Sequence, residues 1–587
     1  ASYPSQTIPT HSRPLHSSPH FQPFVMILTH SSILTFTLIV SVLVSFALAS
    51  SPEVTISTDL GPIRGTVEKG AYMKFLGVPF IEPPVGPLRF SKPVVHKSWT
   101  EAVNTTEYTA GCPQRCELPP RTCPTKYSED CIYLTVYAPL RQKGQSGGSL
   151  PVVAFIPGGH FEQGSNQVEL YDGEYMVSRG NFILVTIGYR LGALGWMANV
   201  DLGLNGNLGL LDQREGLKWI QRNIAQFGGD PDNVVIAGQS AGAVSVCAHL
   251  ISKYSKGLFH KAHIMSNPLV IPMRTSENAS AYGRRFASEL GCSSMECIRN
   301  SKLEDIVDAQ YAAEKFVNKS APLIAFMEMT VSIDGDDITQ NALDAFMNGQ
   351  VSDVPLMIGS VAEEALIFIM QAIKKELSTT EYIAFLTAIF YPRGAIAEVL
   401  YQYPPDPWFG DKRPAVALMG TDYIFFCPWR YGMAHTVSAG ERKNGIYVYE
   451  FNESLPESVW GPHYAYCTGH VCHGSDLAYW FSSLRTANVT ITPEQDALML
   501  LMTDYMANFA YTGNPSKGHA DVPQWPEFTA DNLATMELQS SGSSVQSNLH
   551  PKCNFWDHIG KPYPYHFGIE TVQKALAMIS EKQERRD

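Results

Sequence analysis

The stretch "VVIAGQSAGA", Val234 to Ala243, carries the reading of the fold. "NVVIAG" (233–238) reads as a buried strand. Gly238-Gln239-Ser240-Ala241-Gly242 follows at once, and "SAGAVSVCAHLIS" (240–252) then has the length and the small, apolar composition of a buried helix. Strand, glycine turn, helix is the context in which G-x-S-x-G forms a nucleophile elbow. The glycines allow a turn tighter than β-carbons permit, and the serine Oγ is held out at its tip above a helix N-terminus.

Working outward, "PVVAFI" (151–156), "NFILVTIGY" (181–189), "HKAHIMS" (260–266), "VPLMIGS" (354–360) and "GIYVYEF" (445–451) read as further strands. "LLDQREGLKWIQRNIAQF" (210–227) sets Leu217, Ile220 and Ile224 at helical spacing and stops at Gly228-Gly229. Strands alternating with helices predict an α/β fold with a large, mostly parallel sheet flanked by helices. No internal repeat or linker interrupts the chain after residue 52, so 50–587 reads as a single domain.

The 587 residues are 45% apolar and 17% charged, which is ordinary for a globular protein and argues against disorder. A net charge of −13 disfavours nucleic acid, whose phosphates call for Lys and Arg. The first Met is Met26. "ILTFTLIVSVLVSFALA" (33–49) is apolar apart from Ser and Thr, short for a membrane span, and ends in Ala47-Leu48-Ala49, a cleavage signature. Residues 26–49 therefore read as a secretory signal peptide, with an uncleaved anchor as the alternative, and 1–25 as a non-native leader. No second span follows. The expected location is outside the cell or in the lumen of the secretory route, with no stable membrane span once the signal is removed.

Secretion makes disulfides plausible. Eleven cysteines leave one over, and Cys247, inside the apolar helix, is expected buried and inert. Cys112, Cys116, Cys123 and Cys131 could be spaced for zinc, but an oxidising compartment favours disulfides. No metal or cofactor is expected. Asn104, Asn278, Asn318, Asn452 and Asn488 head sequons and are candidate glycosylation sites.

A serine nucleophile needs a base and the base an orienting acid, in chain order Ser, acid, His for this kind of elbow. Downstream lie "IGSVAEEAL" (358–366), with Glu363 and Glu364 after a strand end, and "CTGHVCHGSDL" (467–477), with His470 and His473.

These features together resemble the type-B carboxylesterase/cholinesterase family of α/β-hydrolases. The likeness runs through "FLGVPFIEPPVGPLRF" (75–90), "SEDCIYLTVYAP" (128–139), "GYRLGALGW" (188–196), 206–242 and "YMANFAYTGNP" (505–515). The Cys-rich stretch "CPQRCELPPRTCP" (112–124) and "VCHGSDL" (471–477) look nearest to amoebal members. The resemblance implies a secreted serine carboxylic-ester hydrolase that forms an acyl-enzyme on Ser240 from a small-molecule ester. The family's G-x-x-x-x-E-G pattern falls on Gly359 to Ala365, which makes Glu364 the acid and Glu363 the alternative. Its H-G-x-[D/E] pattern falls on His473 to Asp476, which makes His473 the base and His470 a loop residue. The family's H-G-G-G-F oxyanion loop reads here Pro157-Gly158-Gly159-His160-Phe161, so the N–H groups of Gly159, His160 and Ala241 would bind the oxyanion. The resemblance also implies disulfides from Cys131 to Cys112 or Cys116, and between Cys292 and Cys297, Cys427 and Cys553, and Cys467 and Cys472; Cys123 belongs to the same first cluster.

The resemblance bears on specificity too. The Cys112–Cys131 loop lacks a Trp for choline, Gln239 replaces the Glu beside the nucleophile, and Ile367 stands where the choline site has an aromatic. A general carboxylesterase is therefore expected rather than a cholinesterase. Non-catalytic storage and adhesion members of the family form the alternative. The His160 ring is expected to point away from Ser240 and to pack or hydrogen-bond at the pocket wall, because most histidines are not catalytic; the other reading places it inside the site, beside the oxyanion hole.

Overall fold

The computed structural model describes residues 51–140, 148–318, 327–390, 395–405, 410–438, 440, 442–487 and 489–559. The segments expected to be a leader (1–25) and a signal peptide (26–49), and Asn488, lie outside the described residues. The chain divides into Ala1–Ser51 and Pro52–Asp587, and everything below concerns the second unit.

Among the described residues one sheet holds thirteen strands. They are β1 (Glu53–Ser57), β2 (Pro62–Glu68), β3 (Tyr72–Pro79), β4 (Val103–Asn104), β5 (Tyr133–Pro139), β6 (Leu150–Ile156), β7 (Ile183–Ile187), β8 (Gly229–Gln239), β9 (Lys261–Met265), β10 (Leu356–Val361), β11 (Ile446–Phe451), β12 (Ala534–Leu538) and β13 (Ser544–Ser547). The spatial order is β1-β2-β3-β5-β7-β6-β8-β9-β10-β11-β12-β13, with β4 beside β2. From β7 to β12 every pairing is parallel. The two flanks are antiparallel apart from the short β2–β4 pair, which is parallel.

The parallel strands are covered on both faces, so their residues need not alternate. Every residue of β6, β7 and β9 is buried, as is β8 from Val234 onward. That is why they read as unbroken apolar runs in the sequence. The antiparallel flank up to residue 139 carries a weaker strand signal in the sequence. Its first strand alternates between exposed and half-buried residues and carries too short a pattern to stand out.

Two helices flank β8 in the chain. Helix α1 (Leu208–Asn223) ends four residues short of its predicted limit, because Ile224–Phe227 tightens into a 3-10 turn. Gly228 closes that turn at φ 88°, a left-handed cap that suits glycine. Helix α2 (Ala241–Ile251) is buried all round, from Ala241 to Leu250. Cys247 sits in it fully buried, and burial pushes its thiol well up, out of the reactive range.

The order of strands reverses between β6 and β8. β7 lies on one side of β6, whereas β8 and then β9 build out on the other. In open α/β sheets a crevice forms beyond the carboxyl ends of the strands at such a point. The loop after β6 is the glycine-rich 157–161 stretch, and the turn after β8 is the Ser240 elbow. Topology alone brings the two together.

Five disulfides are present: Cys112–Cys131, Cys116–Cys123, Cys292–Cys297, Cys427–Cys553 and Cys467–Cys472. Cys131 takes Cys112, so the Cys116–Cys123 loop nests within the larger one. Of the sequons, Asn104 and Asn278 are exposed. Asn452 is half-buried, and its amide nitrogen donates to Glu537 Oε1 at 2.9 Å. The side chain of Asn318 lies outside the described residues. Among the described residues no helix is long and apolar enough to cross a membrane.

A buried charge cluster ties the C-terminal segment to β11. His550 stacks on Phe426 with ring centroids 3.8 Å apart. Its Nδ1 lies 2.7 Å from Asp422 Oδ1, and its Nε2 is bonded to Glu450. Burial alone would lower the proton affinity of His550, but the bonds to the two carboxylates outweigh it and hold the imidazolium up to about 9. The folded state therefore binds this proton more tightly than the unfolded chain does. The stabilisation is complete below the ordinary histidine range, about pH 6.5, and is lost as pH rises through about 9. The parent should lose on the order of 3 kcal/mol more than His550→Gln between about pH 6 and 10. Urea-unfolding midpoints of both proteins across that range measure it; parallel curves would refute the assignment.

Candidate active site

Ser240 joins β8 to α2 at φ 55° and ψ −121°, a conformation that side chains rarely adopt. Two packing constraints hold it there. A β-carbon on Gly238 would lie 2.4 Å from the Gly242 carbonyl oxygen, and one on Gly242 would lie 2.0 Å from that of Ile156. Only glycine at both positions lets the helix close on the strand. The Ser240 N–H donates to the Met265 carbonyl at 2.9 Å and pins the turn to β9.

Glu363 and Glu364 follow the end of β10, and consecutive residues there face opposite ways. Glu364 is fully buried. Its Oε1 accepts the Val361 N–H at 2.8 Å, and its Oε2 accepts the Nδ1–H of His473. Glu363 turns outward, where it accepts from His470 at 2.8 Å and from the Val471 N–H at 2.8 Å. The two adjacent acids thus meet two different histidines. His473 follows the Cys467–Cys472 disulfide, and a β-bridge between Glu363 and Cys472 fixes the height of its loop against β10. Asp476, one turn on, is also buried. Its Oδ2 accepts the Tyr449 hydroxyl at 3.1 Å, while its Oδ1 has no hydrogen-bond partner among the described residues. Burial, and after it the Glu364 charge, push the Asp476 carboxyl up to about 7.

The loop after β6 turns back sharply through three positive φ angles, 112° at Gly159, 57° at His160 and 64° at Phe161. The Glu162 and Gln163 N–H groups both donate to the Gly159 carbonyl at 3.0 Å. Gln114, in the outer Cys loop, clamps the far end. Its Oε1 accepts the Gly164 N–H at 2.7 Å, and its Nε2 donates to the Gly164 carbonyl at 2.8 Å. The Tyr189 hydroxyl donates to the Pro157 carbonyl at 2.7 Å. Pro157 lacks an N–H, yet the loop loses nothing, since that position is used as an acceptor. The Ala241 N–H stands in the first turn of α2, where no helical carbonyl can accept it.

Ser240, His473, Gly158, Gly159 and His160 line one cavity of about 970 Å³, counted to its open mouth. His160 lines this cavity, and its ring packs at the cavity wall, 5.3 Å from that of Phe368, which in turn lies 5.0 Å from His473. Burial, and then the nearby His473 charge, hold the His160 imidazole down at about 4. His160 is therefore neutral at physiological pH.

The cavity walls come from segments that the motifs do not mark. Ile367 lines it as expected, but Phe368 beside it does too, and Tyr171, Trp460 and Tyr464 add three more rings. The aromatic character missing from the Cys112–Cys131 loop and from position 367 is supplied elsewhere. Among the described residues no Asp, Glu, Lys or Arg lines the cavity. "ESVWGPHY" (457–464) has no periodicity that points to a site, so Trp460 had no sequence signal.

The family model of the carboxylesterase family matches residues 50–556. The cAMP-regulated D2 protein of Dictyostelium discoideum is 35% identical over 539 residues, covering 90% of this chain and 98% of that protein. The Crystal protein of the same organism is 33% identical, covering 85% of this chain and 90% of that protein. Among solved structures, a thermophilic pNB esterase superposes with a TM-score of 0.72 at 29% identity, covering 85% of this chain and 98% of that one.

His160 is a buried base whose proton affinity falls on folding, so the unfolded chain binds more protons as pH drops below about 6.5. The parent should lose stability through that window and level off below about 4. His160→Gly removes the buried imidazole and relieves the positive φ. Relative to the parent it should gain on the order of 2 kcal/mol on going from about pH 7 to 5. Melting temperatures of the two proteins at both values check this; a pH-independent difference would place the ring in solvent.

Proposed function

The chain belongs to the carboxylesterase family and is a carboxylic ester hydrolase, and from that premise we propose that it is a secreted serine esterase working through an acyl-enzyme on Ser240. The observation that carries the proposal is the buried chain of contacts from Glu364 to His473, ending in the cavity that the strained Ser240 shares. In this mechanism His473 takes the Ser240 proton as Oγ attacks the acyl carbon. Glu364 fixes the tautomer of His473 and stabilises the imidazolium that forms. The N–H groups of Gly159, His160 and Ala241 receive the negative oxygen, each donor contributing about 3–4 kcal/mol. His473 then passes its proton to the departing alcohol, and water repeats the sequence on the acyl-enzyme. The five disulfides and the exposed Asn104 and Asn278 suit an oxidising, glycosylating route.

The uncharged, aromatic-walled cavity favours neutral, apolar esters. One observation supports the rival reading of a storage or adhesion protein with little turnover: Ser240 Oγ makes no hydrogen bond to His473 among the described residues. The likeness to the Dictyostelium Crystal protein is consistent with it. Turnover of p-nitrophenyl esters separates the two readings.

Ser240→Ala should abolish ester hydrolysis and fluorophosphonate labelling while leaving the melting temperature within a few degrees. Glu364→Gln should lower kcat by about a thousandfold or more, by analogy with loss of a triad acid. Glu363→Gln should cost less than about tenfold, since that carboxylate meets only His470 and the loop backbone. The reverse ranking would move the acid by one residue.

A neutral ester and its isosteric quaternary-ammonium analogue should differ in kcat/KM by less than about tenfold, because no carboxylate lines the cavity. A preference for the cation of about a hundredfold, or 2.7 kcal/mol, would show that the four rings act as a cation site.

A further inference from the structure

One lone pair on His473 has two claimants. The imidazole gives its Nδ1–H to Glu364, which leaves Nε2 as the acceptor nitrogen. Facing Nε2 at 3.0 Å is the side-chain nitrogen of Gln239. An amide nitrogen only donates, so a Gln239 N–H fills the position that must receive the Ser240 proton. Ser240 Oγ meanwhile bonds to none of the described residues.

We propose that Gln239 is a positioning residue that caps the base of the resting enzyme and withdraws when an ester enters, releasing Nε2 to Ser240. This rests on the serine-esterase reading above. The amide suits both halves of the cycle, since it carries a donor and an acceptor at one end. Facing neutral His473, it donates. As Oγ bonds to the acyl carbon, the carbonyl π pair moves onto oxygen and the Oγ proton passes to Nε2. The new Nε2–H faces the alcohol oxygen that will take it, and the amide, no longer donating and turned by half, presents Oε1 as a second acceptor. When the bond to the alcohol oxygen breaks, that oxygen takes the same proton and the amide can turn back. A glutamate here would serve only the charged imidazole, and an apolar side chain neither form.

The surroundings leave room for that turn. A β-carbon on Gly158 would come within 2.8 Å of Gln239 Oε1, so a larger residue there would jam the amide. One on Gly474 would lie 3.8 Å from the amide nitrogen. Gln239 is otherwise 4% exposed and has few alternative partners. The titratable groups that face His473 are Glu364, Asp476 and His160. All three stay in place in Gln239 variants, so a change in pH profile reports on the amide.

Gln239→Met keeps the length and loses donor and acceptor; Gln239→Glu keeps the acceptor alone. The full chain is labelled with a fluorophosphonate without substrate, and kcat and kcat/KM for p-nitrophenyl acetate are followed against pH. In Gln239→Met, labelling at neutral pH should be about fivefold faster, the value of one hydrogen bond. The acid limb of kcat/KM should move to higher pH by about half a unit, and further in Gln239→Glu, because a donor to the neutral base is lost. The acid limb of kcat should move less, since in the enzyme–substrate complex the amide no longer donates to the base. Labelling in folded Gln239→Met that is unchanged or slower overturns the cap. Should that variant fail to fold, an unmoved acid limb in Gln239→Glu overturns it. Ser240→Ala separates the two levels: labelling that survives it sinks the serine-esterase reading, whereas its loss leaves that reading standing whatever Gln239 does.

Discussion

The strained turn at Ser240 is the constraint on which the rest of the site depends. A φ of 55° at a non-glycine residue costs on the order of 1–3 kcal/mol and persists only where neighbours over-determine it. Here the neighbours are the close approach of Gly238 to Gly242, the contact of Gly242 with the end of β6, and the bond from the Ser240 N–H to Met265. Each comes from a different strand of the parallel core. The site therefore inherits its geometry from the sheet, and the buried strands act as the rigid platform that a preformed site requires.

Electrostatics divides the region into two layers. Glu364, Asp476 and the Nδ1 side of His473 lie behind the cavity, where burial strengthens their interactions. Nε2, Ser240 and the loop amides face the cavity, whose walls carry no formal charge among the described residues. A negative charge forming on the substrate would thus meet backbone dipoles and a single imidazolium, with little competing charge nearby. Keeping His160 neutral belongs to the same logic, because a second imidazolium beside His473 would compete for the proton transfer.

Loops far apart in the chain are held by covalent and hydrogen-bonded clamps. The nested Cys112–Cys131 and Cys116–Cys123 loops present Gln114 to the glycine-rich loop after β6 and Leu118 and Pro119 to the cavity. The Cys467–Cys472 loop is short, and its bridge to Glu363 sets His473 at the level of Glu364. Such staples suit segments without regular structure, which bury too little apolar surface to order themselves.

Much of this was legible in the residues alone. Runs such as 151–156 and 233–238 mark the parallel core because strands buried on both faces cannot alternate, and G-x-S-x-G between strand and helix permits one kind of turn. The antiparallel flank escaped because short, half-exposed strands carry a weaker pattern. Other features had to wait for tertiary structure. Glu363 and Glu364 are chemically equivalent in sequence; the chain direction past β10 puts one in the core and the other at the surface. His160 takes a left-handed backbone angle and packs its ring on Phe368, neither of which residue identity announces. Tyr171 reaches the cavity from a segment far in the chain from Trp460 and Tyr464, and the Gln239 amide finds His473 across a separation of 234 residues. Local pattern determines elements, because periodicity and turn chemistry act over a few residues. Which side chains meet is a property of the packed sheet, because contacts between distant segments depend on register and crossover.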